Sequence, residues 1–177
     1  MNLANKITIL RLLLIPVFIL LVLYSKWEIA LFVFIFAALS DALDGYLARR
    51  MNQRTELGKV LDPIADKFLI LSAFICLSVV NNPSTSIRLP VYVPVIIISR
   101  DAIIVLGSLI IYLIKGNLEV KSALIGKITT FLQMATVISI LFKFTFSPFL
   151  WNAAVIVTVW SGIIYVRRGA RLLNGSK

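Results

Sequence analysis

Histidine is absent from the 177 residues, and cysteine occurs once, at Cys76 inside an apolar run. These two absences remove several chemistries together. No second cysteine exists for an internal disulfide, no Cys/His set for a zinc site, and no imidazole to activate a nucleophile. Acidic residues are also scarce, eight against eighteen lysines and arginines. Whatever chemistry occurs must rest on carboxylates, hydroxyls and cations. Polar stretches are short: 60% of the residues are hydrophobic and the mean hydropathy is +0.98. A water-soluble domain would be about half apolar and would alternate polarity along each element.

The apolar residues fall in six blocks, 10–25, 27–48, 61–81, 90–114, 126–145 and 149–166. Each is near the ~20 residues that cross ~30 Å of hydrocarbon as a helix. Lipid offers no partners to open backbone groups, so helices are required. The expected fold is an all-α integral membrane protein of six transmembrane helices forming one domain, 1–177. Breaks fall at Ser25-Lys26, Asn52-Gln53, Asn81-Asn82-Pro83-Ser84, Lys115-Gly116-Asn117 and Ser147-Pro148. Lys6 and Arg11 ahead of the first block superficially resemble a leader peptide. That block ends in Tyr24-Ser25-Lys26-Trp27 with no small-residue cleavage site, so it reads as a span. Asn5, Thr8 and Arg11, spaced by three, line one side of a helix. They predict an N-terminal interfacial amphipathic segment, at the level of lipid and substrate phosphates, before the chain enters the bilayer.

A formal charge of +10 suits either nucleic acid or an anionic membrane surface. The cations lie at the ends of the apolar blocks, which points to the lipid bilayer and away from nucleic acid. With the N-terminus in the cytoplasm, one side collects Lys6, Arg11, Arg49, Arg50, Arg54, Lys59, Lys67, Lys115, Lys121, Lys127, Arg167, Arg168, Arg171 and Lys177. The other side keeps Lys26, Arg88 and Lys143. This asymmetry predicts a multi-pass cytoplasmic-membrane protein with both termini facing the cytoplasm.

Most of the rare acids are concentrated in one place. Asp41, Asp44, Glu56, Asp62 and Asp66 surround the connection between the second and third blocks. A carboxylate near hydrocarbon costs several kcal/mol unless paired or metal-bound, so this cluster reads as functional. Asp41 and Asp44 are i,i+3 and Asp62 and Asp66 are i,i+4, so each pair projects from one helical face. Two antiparallel helices would aim four carboxylates into one cavity. An all-oxygen set suits Mg²⁺ or Mn²⁺ and leaves room for substrate phosphate in the coordination shell. Gly45 and Gly58 stand one turn from these aspartates, where a missing side chain lets a bulky ligand approach the backbone.

The stretch Asp41-Ala-Leu-Asp44-Gly45-Tyr-Leu-Ala48-Arg49, eight residues, Gly58-Lys-Val-Leu-Asp62-Pro-Ile-Ala-Asp66 resembles the CDP-alcohol phosphatidyltransferase signature, D-x2-D-G-x2-A-R-x8-G-x3-D-x3-D, at every defining position. The resemblance extends to the six-span layout. It implies that Asp41, Asp44, Asp62 and Asp66 bind the metals and that Asp66 is the general base for the acceptor hydroxyl. It further implies that Asp41, Asp44, Gly45, Ala48, Arg49, Gly58 and Asp62 line the site for CDP-diacylglycerol, on the cytoplasmic side, and that the enzyme is a homodimer.

Two segments bear on the acceptor. Lys121-Ser122 and Gly126-Lys127-Ile-Thr-Thr130-Phe-Leu-Gln133 resemble the glycerophosphate-accepting branch of this family, as does the stretch from Ser161-Gly162 through Tyr165 to Arg171. That resemblance implies glycerol 3-phosphate as acceptor, with Lys121, Lys127, Thr130 and the deep Arg100 as candidate ligands for it. Ser99-Arg100-Asp101 instead resembles the cardiolipin-forming branch, whose acceptor is phosphatidylglycerol. Plainer readings stand beside these. Arg100 and Asp101 pair with each other, Lys127 snorkels to the surface, and Thr130 bonds back to its own helix. Acids between membrane helices also suit an ion-coupled transporter, although that leaves Gly45, Ala48, Arg49 and Gly58 unexplained. Glu56 reads as a solvated charge and Cys76 as packing.

Overall fold

The computed structural model describes the backbone of residues 3–50, 56–80, 88–115 and 124–174, with side chains described for 8–40, 65, 67–80, 88–111, 113 and 124–171. The described residues form six helices: α1 Leu3–Leu23, α2 Trp27–Arg50, α3 Glu56–Val79, α4 Tyr92–Lys115, α5 Leu124–Leu141 and α6 Ser147–Asn174.

Two tight turns use the same device. At the end of α1, Ser25 takes φ 56°, its N–H donates to the Val22 carbonyl at 3.0 Å, and the Lys26 N–H donates to Leu21 at 2.8 Å. At the end of α5, Lys143 takes φ 59°, donating to Ile140 at 3.0 Å, while Phe144 donates to Ser139 at 2.9 Å. This paired pattern satisfies the last carbonyls of each helix. Both turns place a side-chain-bearing residue where glycine is usual, at a cost of about 1–2 kcal/mol. The result is two helical hairpins, α1–α2 and α5–α6.

α1 packs on α2 and α3, and α6 packs on α4 and α5. The two groups of three meet through α2–α5, α3–α4 and α3–α5. Inward stripes recur at steps of three and four, as helical packing requires. They are Trp27, Ala30, Phe34 and Ala37 on α2, Leu69, Ala73 and Leu77 on α3, and Trp151, Ala154, Thr158 and Ser161 on α6. Cys76 packs at the edge of this core, in agreement with its reading as a packing residue.

Beside its apolar core the bundle buries polar side chains and exposes large apolar ones. Arg11, Arg100, Gln133, Thr136 and Thr158 are buried, while Phe32 is 72% and Phe149 74% exposed. An apolar exterior of this extent marks contact with another apolar medium. Among the described residues, Tyr92–Ile111, Leu124–Leu141 and Ser147–Arg171 are each long and apolar enough to cross a membrane. The described parts of α1, α2 and α3 contain shorter apolar stretches, Thr8–Leu23, Trp27–Ser40 and Lys67–Val79.

The N-terminal segment differs from expectation. α1 runs unbroken from Leu3, and Thr8 and Arg11 lie on its inward face, 1% and 0% exposed. Thr8 and Arg11 are therefore bundle residues and not part of a separate surface segment. A spacing of three fixes which residues share a face but not what that face meets. The side chain of Asn5 lies outside the described residues.

Candidate functional site

The side chains of Asp41, Asp44, Gly45, Ala48, Arg49, Gly58, Asp62 and Asp66 lie outside the described residues, but their positions on α2 and α3 are defined. On α2 the inward stripe Phe34–Ala37 continues, in helical steps, through positions 41, 44 and 48. On α3 the stripe Leu77–Ala73–Leu69 continues backwards through positions 66, 62 and 58. Both acidic pairs thus continue, in backbone register, the stripes that are buried where side chains are described. An all-oxygen donor set on two inward registers fits Mg²⁺ or Mn²⁺. Among the described residues alone, no group of three or more Asp, Glu, His or Cys could hold a metal.

The α1–α2 hairpin adds a cation at this level. Phe18 and Phe34 stand with ring centroids 5.7 Å apart, which sets the antiparallel register. Seven residues further from the turn on each helix are Arg11 and position 41, and ten residues further are Thr8 and position 44. Helices rise equally per residue, so the fully buried Arg11 sits level with the first aspartate position.

A second polar cluster joins α3, α4 and α6. Arg100 Nη1 donates to Asp101 Oδ1 at 2.7 Å, and Arg100 Nη2 donates to Ser161 Oγ at 2.6 Å. The guanidinium also lies 5.5 Å from the Tyr165 ring centroid. Lys67 Nζ reaches the other carboxylate oxygen, Asp101 Oδ2, at 2.7 Å. Small residues make room for the arginine. A Cβ on Gly162 would stand 3.4 Å from Arg100 Cγ, and one on Gly126 would stand 3.1 Å from Tyr165 Oη. Side-chain exposure rises from 8% at Arg100 through 19% at Asp101 to 37% at Lys67. With two cations on one carboxylate, the trio carries a net charge of +1. It borders a cavity of ≈ 340 Å³ between α3 and α4, lined also by Leu71, Ile98 and Val105.

Of the acceptor candidates, Arg100 is thus committed to partners within the bundle. Thr130 donates to the Gly126 carbonyl at 3.2 Å, the back-bonded arrangement, and Lys127 is exposed. Gln133, one further step of three along, is fully buried and donates to Thr158 Oγ1 at 3.3 Å. Lys127, Thr130 and Gln133 therefore wind from the outside to the inside of α5 and do not form one open stripe. Lys121 lies outside the described residues. Lys67 was legible in the sequence only as a cation at a membrane boundary. Its partnership with Asp101 bridges two helices, and the only hint of it was that Asp101 is the lone acid in α4.

The sequence profile of the CDP-alcohol phosphatidyltransferase family matches residues 1–160. Several relatives carry the name CDP-diacylglycerol–glycerol-3-phosphate 3-phosphatidyltransferase, among them the following three. The Bacillus subtilis protein is 34% identical over 200 residues, covering 99% of this chain and 98% of the relative. The Escherichia coli protein is 34% identical over 179 residues, covering 93% of each. The Aquifex aeolicus protein is 31% identical over 140 residues, covering 79% of this chain and 75% of the relative.

Proposed function

This chain belongs to the CDP-alcohol phosphatidyltransferase family, and from that premise we propose that it transfers the phosphatidyl group of CDP-diacylglycerol to glycerol 3-phosphate, releasing CMP. The observation that carries the reading is the complete acidic signature on the inward registers of α2 and α3. The names of the full-length relatives support glycerol 3-phosphate over phosphatidylglycerol as acceptor.

In this reading all six helices span the membrane, both termini face the cytoplasm, and the acidic ends of α2 and α3 open there. The positive-inside distribution and the apolar exterior support it. The homodimer implied by the family belongs to the same proposal.

The reaction forms one bond and breaks one. The acceptor hydroxyl oxygen attacks the phosphorus that bears the diacylglycerol. The bond from that phosphorus to the CMP oxygen breaks, and CMP departs with the electron pair. The hydroxyl proton passes to the Asp66 carboxylate, so no covalent enzyme intermediate is required. Asp41, Asp44, Asp62 and Asp66 would hold Mg²⁺ or Mn²⁺, which when bound neutralises charge on the diphosphate and the leaving group. Gly45, Ala48, Arg49 and Gly58 would line the nucleotide, the glycines permitting close approach of the backbone.

The test is CMP release by purified protein supplied with CDP-diacylglycerol, Mg²⁺ or Mn²⁺, and either glycerol 3-phosphate or phosphatidylglycerol. Release with glycerol 3-phosphate, abolished by chelation and restored by the cation, is expected. Release with phosphatidylglycerol alone would reassign the acceptor, and none with either would return the acidic cluster to an ion path.

A further inference from the structure

The proposed reaction needs something to recognise the phosphate of the acceptor, and Arg100 is poorly placed to do so. Its two terminal nitrogens are used by Asp101 and Ser161, and its face covers Tyr165. At 8% exposure it cannot turn toward an incoming anion without breaking both bonds. Arg100 borders the same cavity as Lys67, but Lys67 is the more exposed and the less tightly held of the two. The lysine is bonded to Asp101 Oδ2 and is 37% exposed where it borders the cavity between α3 and α4.

The charge balance points the same way. Arg100 and Lys67 share the Asp101 carboxylate, each at 2.7 Å, so the cluster keeps one surplus positive charge, and its Lys67 end is the more exposed. At 37% exposure the lysine is partly screened by water but remains positioned to attract an anion that enters the cavity. Position 67 also directly follows position 66 on α3, where the proposed reaction puts its base. The two side chains leave the helix about 100° apart, so a phosphate held by Lys67 would lie at the same level of α3 as that residue, with the rest of a small acceptor left to span the angle between them.

Resting on that reaction, we propose that Lys67 is the specificity-determining residue that binds the phosphate monoester of the acceptor, with Asp101 as the counter-ion it leaves when the acceptor arrives. Arg100, bound to Ser161 and Tyr165, is then a positioning residue that holds Asp101.

The test compares two substitutions that break the same ion pair. Lys67→Met should raise KM for glycerol 3-phosphate about ten- to a hundredfold, the range expected for loss of a charge-assisted hydrogen bond, with KM for CDP-diacylglycerol unchanged. Lys67→Arg should recover most of that loss. Asp101→Asn frees the lysine and should leave KM for glycerol 3-phosphate equal to or lower than that of the unsubstituted protein. A purely structural ion pair predicts parallel losses from Lys67→Met and Asp101→Asn, and that result overturns the proposal. Should Asp101→Asn fail to fold, inorganic phosphate decides. It should inhibit competitively against glycerol 3-phosphate, and Lys67→Met should be resistant, whereas equal inhibition of both proteins refutes the assignment. A defect that follows the anionic-lipid content of the micelle, and not the acceptor concentration, would assign Lys67 to bilayer headgroups instead. Failure of the unsubstituted protein to release CMP with glycerol 3-phosphate would sink the reaction itself. Release with an unaltered KM in Lys67→Met sinks only the present inference.

Discussion

Replacing Arg100 by methionine tests whether the α3–α4–α6 cluster is held from the arginine. The substitution keeps an unbranched apolar stem but removes the bonds to Asp101 and Ser161 and the charge over Tyr165. Each hydrogen bond to a charged group contributes about 1.5–3 kcal/mol. Asp101 keeps Lys67 as counter-ion, so the low end applies and the loss should be near 3 kcal/mol. For a chain of this size that lowers the thermal midpoint by about 6–12 °C. Lys67→Met removes only the more exposed arm and should cost less than about 1 kcal/mol. Arg100→Lys keeps the charge but cannot bridge Asp101 and Ser161 together, so it should fall between the two. Thermal unfolding of the purified proteins in one detergent, followed by circular dichroism, gives the order. Equal midpoints for Arg100→Met and Lys67→Met would refute an arginine-centred cluster.

Three further outcomes follow from the same geometry. Asp66→Asn should abolish CMP release while leaving CDP-lipid binding, measured by equilibrium titration, largely intact. Loss of binding and folding together would make the aspartate a structural metal ligand. Gly126→Ala brings a Cβ to 3.1 Å from Tyr165 Oη, so the tyrosine must give way; a lower thermal midpoint is expected, and a raised one would show that the gain in helix propensity outweighs the contact. Lys143→Gly relieves a left-handed residue at a helix end and should raise the midpoint by the equivalent of about 1 kcal/mol.

The number and order of helices could be read from hydropathy because each apolar block has a helical counterpart. The boundaries differ in a systematic way. α1, α3 and α6 extend past their apolar blocks, to Leu3, Glu56 and Asn174, because hydropathy reports depth in lipid whereas a helix continues into the polar zone. α5 ends at Leu141, short of the block edge at 145, because Lys143 turns left-handed there, a feature no apolar count detects. The acidic signature was legible because its spacings of three and four are local. Arg100–Asp101 was legible as adjacent partners for the same reason. Lys67–Asp101 and Arg100–Ser161 were not, since each joins helices whose packing only the folded chain defines. Thr8 and Arg11 show the complementary limit, for their shared face was correct and its surroundings were not.

In the proposed reaction a soluble phosphate acceptor is joined to lipid. The most direct measurement supplies vesicle-reconstituted protein with CDP-diacylglycerol, Mg²⁺ and isotopically labelled glycerol 3-phosphate, and weighs the extracted lipids by mass spectrometry. A labelled lipid bearing both the diacylglycerol phosphate and the intact glycerol phosphate, formed mole for mole with CMP, is the predicted result. CMP appearing while the label stays entirely in the aqueous phase would contradict it.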